Sequence, residues 1–439
     1  MERIRRTGAT GTQPLVRRPL GIWLVSQSYL PYYGGITEHV WHLAANLAAR
    51  GHTVRVVTGC PLNGSAGGGG PAGDGPPADE DPPGVEVVRL GRTTRLPSHG
   101  ARACVTFGWG PRWVERLHRL PPPDVVHFQS PLEPFLPLWL LGRIPAASVG
   151  TFHTGGNVHW GYRHFAPWLR LRARKLDCRL AVSAEAARFA AAHLPGDYEV
   201  IPNGISVGRF ERPPAPPADP CLSPGPSPGT ARILCVGRLD PRKGLLRLLD
   251  ALALLCARAD ERRAPRPRLT LVGAGPERQR LERRAATGRL PVVFAGAVSR
   301  AGLPAFYRDA DLFVAPSTDG ESFGVSLLEA MASGLPLVAA DLAGYVETVG
   351  TAHAALFFRR GSAVDLARAL ACLIDDAPRR RAMGSAGSRH ALAYDWSLVT
   401  SRIEEAYGEA IRRRAARIRG AVRPAITSSA RRSSAYPAG

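Results

Sequence analysis

Asp319-Gly-Glu-Ser-Phe-Gly-Val-Ser-Leu-Leu-Glu-Ala-Met-Ala-Ser-Gly334 follows a short apolar run, Leu312-Phe-Val-Ala-Pro316, and its reading decides the fold. The run reads as a buried parallel strand. Gly320 and Gly324 mark a tight turn, Val325 to Met331 carries a helical apolar pattern, and Gly334 and Pro336 supply the stop. A strand, glycine turn and helix in this order aim free backbone N–H groups and the positive helix end at one point, a geometry that suits a phosphate. Glu321 lies in the turn and Glu329 about two turns into the helix, so the two carboxylates serve hydroxyls on either side of that phosphate. The cations it needs stand in Arg238-Leu-Asp-Pro-Arg-Lys243, a loop after the strand-like run 232–237.

Composition narrows the choices. A chain of 439 residues with 45% hydrophobic content exceeds one ordinary core, so two domains are expected. The net charge of +21 invites a nucleic-acid or anionic-membrane partner. All of the 57 basic residues except Lys175 and Lys243 are arginine, which points to compositional bias for part of that charge. It also singles out Lys243, where a compact ammonium suits a phosphate. No aromatic-interleaved basic patch or helix-turn-helix pattern supports a nucleic-acid partner. The seven cysteines are scattered and form no CxxC, no HExxH occurs, and neither a zinc site nor a disulfide framework is expected. The first 19 residues lack the apolar core of a signal peptide, and no run is long enough to span a bilayer.

Earlier in the chain, a strand at 21–26 leads through Gly34-Gly35 into a helix over 37–50, then a strand over 53–58, a β-α-β unit whose glycines let a ligand approach the backbone. Thr151-Phe-His-Thr154 ends another strand on a polar cluster, and ligands of open α/β sheets bind at such ends. His127, also near a strand end, reads as a packing histidine. A later Gly-Ala-Gly at 273–275 lacks the full GxGxxG and is rejected as a dinucleotide site.

The Glu-x7-Glu segment, the Gly237-Arg-Leu-Asp-Pro-Arg-Lys-Gly244 loop and the Gly34-Gly35 turn together resemble the family-four retaining glycosyltransferases of the two-Rossmann-domain (GT-B) fold. They are most like the phosphatidylinositol α-mannosyltransferases, from about residue 20 to about residue 407. The resemblance implies an α/β protein with two Rossmann-like domains facing across a cleft. The expected division is a disordered extension (1–19), an acceptor-side domain (20–210) with a disordered insertion (61–84), and a Pro-rich linker (211–230). A nucleotide-sugar domain (231–393), a crossover helix (394–411) after Tyr394-Asp-Trp396, and a basic disordered tail (412–439) follow.

The implied activity moves a sugar, mannose from GDP-mannose, to a lipid or glycan acceptor with retention at the anomeric carbon. A UDP-sugar donor, a soluble acceptor, a nucleotide-sugar epimerase and a non-catalytic binder stay open as alternatives. By the resemblance His153 and Glu321 are catalytic. Gly34, Gly35, Arg238, Arg242, Lys243, Val298, Glu321, Ser322, Phe323, Gly324, Val325 and Glu329 bind the donor, with Val298 near its base. No metal and no cofactor are expected, since the nucleotide sugar is a substrate and the family is metal-independent.

The partners expected are a nucleotide sugar, a lipid acceptor at an anionic membrane surface, and no nucleic acid. The expected location is the cytoplasm, with a peripheral place on the inner face of the plasma membrane if the acceptor is a lipid. A helix over 161–179, with Phe165, Leu169, Leu176 and Leu180 on one face and Arg163, Arg170 and Arg174 opposite, supplies a candidate contact with such a surface. One departure concerns the acceptor. The mannosyltransferases meet the inositol headgroup with Tyr, Asn, Ser and Arg, where this chain, aligned through Phe107-Gly108, has Ser98, His99, Ala101 and Cys104.

Overall fold

A computed structural model describes residues 4–5, 18–32, 34–61, 80–98, 101–108, 111–154, 160–211 and 229–429. The insertion expected over 61–84 lies outside these residues for 62–79, and the linker for 212–228. Two sheets organise the chain. The first holds β1 (Ile4–Arg5), β2 (Gly21–Val25), β3 (Thr53–Pro61), β4 (Val85–Ser98), β5 (Ala101–Phe107), β6 (Val125–Gln129), β7 (Ala147–Phe152), β8 (Cys178–Ala181) and β9 (Tyr198–Val200). Their order is β1-β9-β8-β7-β6-β2-β3-β4-β5, parallel throughout except for the β4–β5 hairpin. The second holds β10 (Arg232–Val236), β11 (Arg268–Val272), β12 (Val292–Gly296), β13 (Leu312–Ala315), β14 (Leu337–Ala340) and β15 (Ala355–Phe358), in the order β12-β11-β10-β13-β14-β15, all parallel.

These strands are short apolar runs because both faces of each sheet are covered by helices, so polar alternation has no place in them. All five residues of β6, all six of β7 and all four of β13 are buried. The order of the second sheet is doubly wound, and it reverses between β10 and β13. That of the first reverses between β2 and β6. In such sheets the crevice outside the strand ends at the reversal is where ligands bind.

The last helix, Trp396–Ser429, returns to the first domain. Its Trp396, Val399, Ile403, Ala406, Tyr407 and Ala410 share one buried cluster with Ile22, Leu24, Val40 and Leu43. Polar contacts fix the crossing. Glu404 meets His52 at 2.8 Å and also pairs with Arg50, and the Tyr407 hydroxyl lies 2.9 Å from Nδ1 of His127. His127 makes its second bond, 2.7 Å, to Thr151, so both ring nitrogens are satisfied and the residue is structural.

Three sequence expectations are corrected here. The region after 412 was expected to be a disordered basic tail, yet the helix continues to Ser429, and residues 430–439 lie outside the described residues. Its arginines find acids: Arg412 and Arg413 pair with Glu409, and Arg417 lies 2.9 Å from the buried Asp177 of the first domain. In the N-terminal extension, expected to be disordered over 1–19, Ile4–Arg5 pair in parallel with Tyr198 and Glu199. The helix expected over 161–179 is Trp160–Ala173. Leu169 and Leu176 are buried, but Phe165 is 55% exposed and Leu180 belongs to β8. Trp168 and Leu171 are exposed with Phe165, because the packing stripe runs through Leu169 and Ala173 instead.

Tyr407→Phe should lower the chemical-unfolding midpoint by an amount corresponding to about 1–3 kcal/mol, since it strands a ring nitrogen of the fully buried His127. A midpoint equal to that of the unaltered protein would show that the crossover helix is held by apolar packing alone.

Candidate active site

The loops after β10 and β13 meet at the reversal point of the second sheet. After β10, Asp240 is fully buried and caps the turn Pro241–Lys243 by accepting from the Arg242 backbone N–H at 3.1 Å. Its carboxylate also lies 3.6 Å from Nε of Arg238 and 3.4 Å from Nη2 of Arg242. One buried acid thus aims the loop. Gly244 closes it with φ 64°, and a Cβ there would stand 2.1 Å from the Pro316 carbonyl oxygen, so the close approach to β13 requires glycine. Thr318 then donates both its backbone N–H (2.7 Å) and its hydroxyl (3.1 Å) to the Arg242 carbonyl, which locks the two loops together.

Across this joint Lys243 Nζ donates to Glu321 Oε1, and the Ser317 hydroxyl donates to the same oxygen at 3.3 Å. Burial alone would lower the Lys243 ammonium, but the Glu321 carboxylate beside it holds the pKa above the ordinary value, so Lys243 stays charged. Gly324 (φ 100°) starts the helix Val325–Ala332, and no side chain caps its N-terminus. Gly237, Arg238, Lys243, Ser317, Ser326 and Tyr345 line a small cavity at that helix end. Cations and an uncapped helix start converge there, an arrangement that binds a phosphate or diphosphate.

Glu329 lies farther along the helix, where its carboxylate accepts from the Tyr307 hydroxyl at 2.6 Å. Burial pushes its pKa up to about 7, against the Tyr307 hydrogen bond. Phe323 is buried beneath the turn and can meet a ligand only through its backbone, whereas Ser322 and Val325 are half-buried. Arg242 faces Asp240, to the side of the Lys243–Glu321 pair.

The first domain faces this site with His153. Its Nε2 lies 2.7 Å from Gln129 Oε1, and the ring stands 5.0 Å from the buried His39 ring. Burial, then the neighbouring His39 and His127, push His153 well below its ordinary pKa, so the ring is neutral at physiological pH. Ser322 reaches across to donate to the His153 carbonyl at 2.6 Å. A Cβ on Gly34 or Gly35 would meet nothing within 4 Å, which leaves open space above the start of the helix Gly35–Ala49.

Two further contacts join the domains. Arg300, two residues beyond Val298, grips Glu38 at 2.8 and 2.9 Å and covers the Trp41 ring at 4.6 Å. Glu347 accepts from the Ala184 N–H at 2.7 Å at the start of the helix Ala184–His193. Sequence reasoning missed Arg300–Glu38 as a bridge, and no local signal marks a pair so far apart in the chain. Among the described residues, no group of three or more His, Cys, Asp and Glu is placed to hold a metal ion, and no helix is long and apolar enough to cross a membrane.

A phosphatidyl-myo-inositol mannosyltransferase of Mycobacterium leprae is 33% identical over 380 residues, covering 85% of this chain and 92% of its own. The Glycosyltransferase Family 4 pattern matches residues 33–209, and that of Glycosyl transferases group 1 matches 224–390. The chain belongs to the family 4 glycosyltransferases. A phosphatidyl-myo-inositol mannosyltransferase of Mycolicibacterium smegmatis is 32% identical over 377 residues, 85% of this glycosyltransferase and 90% of that protein. Among solved structures, sucrose-phosphate synthase from Thermosynechococcus elongatus has a TM-score of 0.67 at 22% identity, covering 89% of this chain and 98% of its own. HepE from Anabaena, solved with UDP, has a TM-score of 0.62 at 20% identity over 88% and 98%. The fold is therefore GT-B, and the enzyme is a glycosyltransferase.

Glu329 makes a pH-dependent contribution. Its folded pKa of about 7 exceeds the ordinary 4.5, so the unfolded chain ionises first as pH rises, and the carboxyl destabilises the fold progressively between these values. Glu329→Gln removes this penalty. The ligand-free variant should nearly equal the parent below pH 4.5 and gain about 3 kcal/mol by pH 7–8. Thermal melts across that range check it, and a constant offset at every pH would contradict a raised Glu329.

Proposed function

We propose that this glycosyltransferase moves a mannosyl group from GDP-mannose to a hydroxyl of a lipid or glycan acceptor, with retention at the anomeric carbon. The observation that carries the reading is the convergence of Arg238, Lys243 and the uncapped Val325 helix start at the reversal point of the second sheet, opposite His153. The names of the curated relatives favour mannose. Arg238, Lys243 and the helix N–H groups stabilise the diphosphate as it gains charge. Glu321, which orients Lys243 through Oε1, offers Oε2 to the sugar hydroxyls. Glu329 holds the ribose, Gly34 and Gly35 admit the diphosphate from the first domain, and Val298 lies by the base. His153 meets the donor sugar as a neutral ring.

In the reaction the anomeric carbon–phosphate oxygen bond breaks as the acceptor oxygen bonds to the same face of that carbon. The acceptor proton passes to the departing diphosphate oxygen. Charge at the anomeric carbon is cation-like in between, and the nearby carboxylate favours it. These steps draw on residues and substrate alone, with no cofactor. A UDP-sugar donor is the second reading, favoured by HepE having been solved with UDP.

Arg238→Ala and Lys243→Ala should each weaken donor binding by about 1.5–3 kcal/mol in titration calorimetry. Parental turnover in both variants would refute the clamp. Glu321→Gln should lower kcat while free-GDP affinity changes little. Thermal shift with GDP-mannose against UDP-glucose decides the base, and the anomeric proton coupling of the product in NMR decides retention.

A lipid acceptor requires contact with a membrane surface. The helix Trp160–Ala173 exposes Phe165, Trp168, Leu171 and Arg170, and Arg174 follows just past its end, an amphipathic surface suited to anionic lipid. Sedimentation with vesicles should show salt-sensitive binding to anionic but not neutral lipid, and replacing the three apolar residues by Ser should abolish it. Equal binding to both vesicle types, or to neither, favours a soluble acceptor.

A further inference from the structure

The first sheet reverses its order between β2 and β6, and the crevice there holds a carboxylate that the donor chemistry does not use. Glu133 follows β6 and Gln27 follows β2, so both stand at the strand ends that face the cleft. Gln27 donates through Nε2 to Glu133 at 3.3 Å and accepts from the Thr106 backbone N–H at 3.0 Å, which ties the carboxylate to β5. Among the described residues no cation pairs with Glu133, although the chain carries 57 basic residues. It is half-buried, and burial pushes its carboxyl up to about 7.

The loop that presents Glu133 is strained on both sides. Ser130 has φ 51° and Phe135 has φ 72°, left-handed conformations that are costly for residues with a Cβ and that gather at functional sites. Gln129, at the root of this loop, is the partner of His153, and its Nε2 is buried with no partner of its own. Phe135, two residues beyond Glu133, packs its ring at 4.7 Å on Phe107, which follows the Thr106 that bonds Gln27 and remains 37% exposed. A hydroxyl acceptor next to an exposed aromatic face matches the two surfaces of a sugar ring, its hydroxyl edge and its C–H face.

We propose that Glu133, held by Gln27 and flanked by the Phe107–Phe135 pair, binds the acceptor and takes a neutral sugar or cyclic polyol ring through its hydroxyls. An unpaired carboxylate repels a phosphate, so this subsite selects the ring itself. The absence from the β4–β5 hairpin of the inositol-contact residue types expected at Ser98, His99, Ala101 and Cys104 agrees with recognition through another wall. The inference rests on the transfer reaction proposed above.

The test measures transfer from radiolabelled GDP-mannose to octyl α-mannoside, to myo-inositol and to phosphatidylinositol in mixed micelles, with the full chain. Glu133→Ala should raise the acceptor KM roughly ten-fold or more while the donor KM changes less than about two-fold, and Glu133→Gln should retain part of the affinity. Phe107→Ala should weaken octyl α-mannoside in the same direction. An acceptor KM unchanged in Glu133→Ala, a change confined to the donor KM, or phosphatidylinositol as the sole acceptor would each overturn the proposal. Thermal shift by GDP-mannose and UDP-glucose is read on the same samples. No shift by either in the parent protein overturns the transfer reading instead, while an intact shift with a silent Glu133→Ala overturns this inference alone.

Discussion

Asp240 is the residue on which the cleft loops of the second domain depend. Fully buried and shared between a backbone N–H and two guanidinium groups, it sets the course of the loop after β10. Gly244 and Thr318 then press that loop against the one after β13, close enough that a single methyl group would collide with the Pro316 carbonyl. Lys243 meets Glu321 only because this joint is tight. A buried carboxylate with fewer donors would cost several kcal/mol, so the arginines that surround Asp240 are structural as well as electrostatic.

The two domains meet through polar contacts as well as through apolar packing that continues from Val207 and Phe210 to Tyr307. Arg300–Glu38, Ser322 to the His153 carbonyl, and Glu347 at the start of the Ala184 helix each join a second-domain element to the first domain. Polar contacts of this kind break and re-form at modest cost, which suits a cleft that opens and closes around a substrate. The crossover helix is different. Its apolar stripe from Trp396 to Ala410 is buried in the first domain and makes the chain's end part of that core.

Many arginines have local acidic partners, although 57 basic against 36 acidic residues leave an excess of 21 cations. Arginines of the second domain pair with Asp250, Asp260, Asp311 and Asp375, and those of the last helix with Glu409 and Asp177. In each of these pairs at least one partner reaches solvent, and such pairs contribute little to stability. Glu133, by contrast, takes its hydrogen bond from the neutral amide of Gln27.

The sequence by itself determined the two-domain α/β class and the strand, glycine turn and helix that open the second-domain loops, because their signals are short-range. A strand, a glycine turn and a helix in succession must place a helix N-terminus above the sheet edge, and Gly237 to Gly244 carry their own cap. It misjudged the tail after residue 412, where acids beyond the tail itself, Glu409 one turn back and the distant Asp177, hold the arginines. It also misjudged Phe165, since which stripe of an amphipathic helix is buried depends on the neighbour it meets. Only the tertiary structure decided that Arg300 closes on Glu38 and that Glu133 comes to Gln27 and Thr106. These pairs are separated by 262, 106 and, for Gln27 to Thr106, 79 residues, and no local periodicity records a partner at that distance. The order of the first sheet, which reverses between β2 and β6, is what brings Glu133 to Gln27.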